Sequence, residues 1–128
     1  MSARNMNLVA SLTFPLLLLC APAQAHELEA GPVLICDSQE QVERFVQIFD
    51  GNQEIAINTV NLEQNDPSAC AVVEAAYVLG PQLGVARNQS RAFEITGIAV
   101  LGVTTPNGYR PMRPSLYFTP VSLKEFAV

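Results

Sequence analysis

One pair of cysteines constrains this chain more than any other feature. Of three cysteines in 128 residues, Cys20 falls within an apolar N-terminal stretch, which leaves Cys36 and Cys70, 34 residues apart. In an exported protein an even pair reads as a disulfide. Closing a loop of that length stabilises a fold by about 3.5–4 kcal/mol, by restricting the unfolded chain. A small domain is held together by only about 5–15 kcal/mol in total, so the pair matters. Redox exchange and zinc binding lack their residues, since there is no C-x-x-C motif and no Cys/His cluster.

Export is the expectation from the first 25 residues. Met1–Asn7 is short and polar, with Arg4 as its only charge, and Leu8–Leu19 is almost wholly apolar. Ala23-Gln24-Ala25 then places small residues where a signal peptidase reads them, so cleavage is expected after Ala25. The apolar stretch falls short of the roughly 20 residues a membrane-spanning helix needs. A lipid anchor on Cys20 is a poor fit, because Leu19 stands where a small residue belongs. The expected organisation is a signal peptide over 1–25 and a single domain over 26–128, periplasmic or secreted, with no transmembrane segment in the mature chain.

The mature chain reads as α+β. Val33–Cys36 is a short apolar run typical of a buried strand, after a loose lead-in over His26–Gly31. Asp37 and Glu40 have the spacing of a capping box, and Val42, Phe45, Val46 and Phe49 share one helical face. A helix over about 38–50 follows, with Gly51 as its stop signal. Gln53–Glu63 reads as a second helix with Ile55, Ala56 and Val60 on one face, ended by Asn65-Asp66-Pro67-Ser68. The cysteine bridge would close the base of this helical hairpin.

Strand patterns begin at Cys70. Ala71–Leu79 is one strand, broken at Gly80-Pro81, and Leu83–Ala86 is a shorter element. Ala92–Val103 reads as half-exposed at its start and buried on both faces later. Pro106-Asn107-Gly108 carries hairpin chemistry. Tyr109–Met112 and Leu116–Thr119 return, with Pro111 and Pro114 placing this part at the border of the sheet. Val121–Val128 reads as a short strand or turn. The expected architecture is an N-terminal strand and helical hairpin packed on a curled antiparallel sheet of four to five strands. Closure into a small SH3-like barrel is one form it could take.

Charge is unevenly distributed. The net charge is −5, which argues against a nucleic-acid-binding protein. From Glu27 to Glu74 there are ten acids against Arg44 alone. From Ala75 onward five bases face Glu94 and Glu125. Such a bipolar chain can steer a partner or pair head to tail with a second copy as a homodimer; a solvated helix face beside scattered bases is the plainer account. Arg110 and Arg113 flank the proline-interrupted hairpin beside Tyr109. These three are the candidate contacts for an anionic ligand.

Catalytic sets are sparse. His26 is the only histidine and would become the first residue after cleavage, where amine and imidazole together can hold copper. A histidine brace needs a second His, so only a weak metal site with Glu27 and Glu29 remains; no cofactor is expected. A Ser-His-Asp mechanism would hang on a mobile terminus. Glu40, Glu43, Glu74 and Glu94 could supply a carboxylate pair for a small hydrolase, with Glu74 and Glu94 as the preferred pair. Asn88-Gln89-Ser90 matches a glycosylation sequon, which matters only in a eukaryotic secretory pathway.

The run Cys36-Asp37-Ser38-Gln39-Glu40-Gln41-Val42-Glu43-Arg44-Phe45-Val46, followed by Cys70-Ala71-Val72-Val73, resembles small exported bacterial proteins that carry a signal peptide and a C-D-[TS]-x-E-Q-V stretch. That resemblance implies a Gram-negative envelope location and brings no activity with it. The expected function is a non-catalytic binding module for an envelope protein or a cell-wall ligand. The carboxylate hydrolase and the His26 metal binder stand as alternatives.

Overall fold

The structure, a computed structural model, describes residues 27–123. The leader, the cleavage site, His26 and the segment 124–128 lie outside the described residues. The order is β1 (Leu28–Cys36), α1 (Gln39–Ile48), α2 (Gln53–Gln64), β2 (Cys70–Arg87), β3 (Ala92–Thr105) and β4 (Gly108–Ser122). The four strands form an antiparallel meander that closes into a barrel, β1-β2-β3-β4. This is the expected α+β architecture, with the N-terminal strand itself a member of the curled sheet.

Cys36 and Cys70 are direct cross-strand partners at the end of β1 and the start of β2, and they are bridged. Both helices lie in the loop that this bridge closes. Val42, Phe45 and Val46 of α1 and Ala56 and Val60 of α2 pack on Cys36, Cys70, Ala86, Phe93 and Ile95. A second cluster on the opposite face draws Ile35, Ala75, Ile98, Val100 and Tyr117 from all four strands.

Several boundaries differ from the sequence reading, each for a local reason. β1 starts at Leu28, because the supposed lead-in pairs with β2 as far as Leu28 opposite Val78. The cap of α1 is one residue later than expected. Ser38 Oγ accepts from the Gln41 amide at 3.2 Å, and Gln41 Oε1 accepts from the Ser38 amide at 3.1 Å. Gln41 Oε1 also accepts from the Asp37 amide, so one buried side chain satisfies two backbone donors at the helix start. Ser38→Ala should cost about 1 kcal/mol in a urea unfolding curve; a midpoint equal to wild type would remove this cap from the account.

β2 runs unbroken through Gly80-Pro81. Register shifts between Leu79 and Gly84 absorb the break as bulges, and Gly80 lies against the Gly97 carbonyl, where a β-carbon would have only 3.1 Å. The burial of β3 differs from the expectation at its two ends, while Ile98 and Val100 are buried as expected. Its start is buried on both faces because Phe93 and Ile95 meet the helices, whereas Thr104 near its end is exposed. β4 is one continuous strand despite Pro111 and Pro114. Between the Val100–Ser115 and Gly102–Pro111 pairs, Met112, Arg113 and Pro114 stand against Leu101 alone, a bulge that takes up the prolines.

The barrel closes through a single pair, Cys36 with Phe118. The Asp37 N–H donates to Ala69 O, so odd positions of β1 face β2 and even positions face β4. Continuing the register would set Leu34 against Pro120 and Pro32 against Ser122. Each of these pairs lacks one N–H donor, and the seam opens there.

Candidate functional site

Three surfaces can be built from these elements. The first is a hollow of about 390 Å³ where the seam opens, lined by Leu34, Phe45, Phe49, Val72, Phe93 and Pro120 among others. Phe49 stacks on Phe45 and meets Phe93 edge-on, with Arg91 above its ring at 5.1 Å. Thr119 also lines this hollow and pairs across strands with Thr96. The Thr96 hydroxyl is the one buried side-chain polar atom without a partner among the described residues.

The second surface is the outer edge of β4. β1 meets β4 only opposite Phe118, so Gly108–Leu116 pairs with β3 on one side and has no strand on the other. β3 and β4 also run past the last β2–β3 pair, Ala75–Val103, before turning at Pro106-Asn107 with Gly108 at φ +109°. Tyr109, Met112 and Leu116 are exposed here, as are Arg110 and Arg113. The Tyr109 ring lies over Gly102, in the space a β-carbon would occupy. Residues alternate faces along a strand, so Tyr109 and Arg110 point to opposite sides of the hairpin, and Arg113 is re-aimed by the bulge. Prolines at this edge remove N–H donors and blunt it against indiscriminate strand pairing.

The third surface is the outer face of α2. Ile55, grouped in sequence with Ala56 and Val60, points the other way and is 59% exposed. With Leu62 it forms an exposed pair seven residues apart, on the side opposite the core. A hollow of about 440 Å³ beside Leu62 is bounded by Asn58, Asn65, Asp66 and Pro67.

The predicted carboxylates do not converge. Glu74 stands opposite Pro32, and Glu94 pairs with Val85, at opposite ends of the β2–β3 ladder. Glu40 and Glu43 lie on α1, outside that ladder. Glu29 faces Tyr77 across β1 and β2, and burial followed by this carboxylate pushes the Tyr77 phenol up. On the helices, Arg44 holds Glu63 at 2.8 Å, raising the guanidinium and lowering the carboxyl through their hydrogen bond. No group of three His, Cys, Asp or Glu side chains among the described residues converges to hold a metal ion. None of the described helices is long and apolar enough to cross a membrane.

Sequence reasoning missed the polar residues that attach the helical hairpin to the sheet. The Asn88 amide nitrogen donates to Val46 O and Phe49 O, both at 2.9 Å, and its carbonyl accepts from the Ser90 and Arg91 amides at 2.8 Å. The sequon asparagine is thus committed to four hydrogen bonds. A glycan on this nitrogen would displace the end of α1. Asn61 does the same on the other helix, bonding Pro67 O and both backbone groups of Cys70.

No family model, no curated protein and no solved structure matches this chain.

Proposed function

We propose that this chain is an exported, non-catalytic binding module that engages an acidic partner in the bacterial envelope. The contact residues are Tyr109, Arg110 and Arg113. The supporting observation is the uncovered β4 edge, where two arginines with no ionic partner among the described residues share one strand with exposed Tyr109 and Met112, Arg110 on the face opposite Tyr109. Exposed guanidinium groups next to apolar and aromatic side chains suit a surface that binds carboxylates or phosphates. The Cys36–Cys70 bridge and the signal-peptide pattern support a periplasmic or secreted location.

The test is retention of the mature protein on an envelope fraction from its native host. Arg110→Glu with Arg113→Glu is expected to weaken retention at least about ten-fold, since loss of charge-assisted contacts costs more than 1.4 kcal/mol. Retention equal to wild type would overturn the assignment of this edge.

A further inference from the structure

We propose that the acidic partner of the β4 edge is a second copy of this chain, docked through the outer face of α2. This rests on the binding-edge reading and names the partner of that same site. The two surfaces are complementary in charge. From Asp50 to Asp66 there are four carboxylates and no base, with Glu63 paired to Arg44 of α1 and the other three unpaired by a described base, whereas from Thr104 to Leu116 there are two arginines and no acid. They also match in apolar content. The α2 face offers Ile55 and Leu62, the latter 81% exposed, beside a hollow of about 440 Å³. The β4 edge offers Tyr109, Met112 and Leu116, side chains of the size such a hollow takes.

Within one chain the two surfaces cannot cover each other. α2 packs on α1 and β2, reaches β3 only through its buried face, and makes no approach to β4. Because the surfaces differ, the contact is heterologous, and a pair joined by it keeps one free edge and one free helix face. Association therefore propagates head to tail into rings or open chains.

The test uses the full mature chain and two variants. Leu62→Glu blocks the helix face, and Arg110→Glu with Arg113→Glu blocks the edge. All three sites are exposed, and an unchanged thermal transition checks that each variant folds. In sedimentation velocity at about 100 µM, a protein with a micromolar contact should form species larger than a dimer. Roughly 0.5 M salt should shift them toward monomer. Each variant alone should be monomeric, whereas their equimolar mixture should stop at a dimer, joined by the one intact edge and the one intact helix face.

A wild-type protein that stays monomeric overturns the second-copy proposal, as does association that neither variant changes or a mixture that stays monomeric. If the wild type is monomeric yet Arg110→Glu with Arg113→Glu still loses envelope retention, the binding edge stands and only its partner is wrong. If neither association nor retention responds, both readings fall.

Discussion

Replacing Cys36 and Cys70 together by alanine is expected to lower stability by about 3.5–4 kcal/mol, the value of closing their loop in the unfolded chain. For a domain of this size the loss corresponds to a fall in Tm of roughly 15–25 °C. The effect is concentrated where the bridge sits. Cys36 ends β1 and Cys70 begins β2, and the helical hairpin occupies the loop between them. Asn61 holds both backbone groups of Cys70, so loosening Cys70 also loosens the α2 anchor. Urea unfolding of the native protein with and without reductant reads the same quantity without a mutation. A reduced protein whose unfolding free energy stays within about 1 kcal/mol of the oxidised one would show that the bridge does not constrain the unfolded chain as this estimate assumes.

The second large effect is at Asn88. Asn88→Ala removes the two N–H donors that serve the end of α1 and the one oxygen that accepts twice from the turn before β3, and should cost about 2–4 kcal/mol at roughly 1 kcal/mol per net hydrogen bond. Asn88→Asp separates the two halves of the interaction. It keeps oxygens that can accept from Ser90 and Arg91, but turns a second oxygen toward Val46 O and Phe49 O. Those carbonyls disfavour the charged carboxylate, so its folded pKa lies above the unfolded value of about 3.9. A group raised in this way contributes stability below the unfolded pKa and loses it as pH rises through the folded one. The aspartate variant should therefore be weakest near neutral pH and recover part of its deficit at about pH 4. Unfolding midpoints for both variants across that range give the answer. An aspartate variant with the same deficit at every pH would remove the carbonyl contact from the explanation.

The elements written in short-range pattern were legible. α1 follows from the spacing of Val42, Phe45 and Val46, the β3–β4 turn from Asn107-Gly108, and the bridge from an even cysteine pair. What the pattern concealed depends on neighbours remote in sequence. Gly80-Pro81 looks like a strand end because its bulge exists only beside Gly97 of β3. Pro111 and Pro114 look like interruptions because the edge they occupy is free only once β1 has ended at Phe118. Ile55 was placed with Ala56 and Val60 because α2 carries apolar residues on two faces, and periodicity alone does not say which one meets the sheet. In sequence Asn88 shows only a sequon, since only the folded chain brings that segment against the last carbonyls of α1. At the candidate site, Tyr109, Arg110 and Arg113 were legible as residues on one hairpin. Their split between faces depends on the strand and its bulge, and the helix face proposed as their partner was not anticipated.

The single-pair seam gives the barrel a direction of failure. Its circumference is only as strong as the step from Cys36 to Phe118, yet Cys36 is also covalently fastened to β2. One bank of the joint is fixed covalently, and the other is held by one backbone pair and by the packing of Phe118 on the helix-side core. If the ring were to part, β1 would stay with β2 through their ladder and the bridge, and β4 would swing outward on its ladder to β3, uncovering Leu34 and the phenylalanines beneath it. The fold is a ring with a hinge and a latch, and the disulfide decides which side carries the hinge.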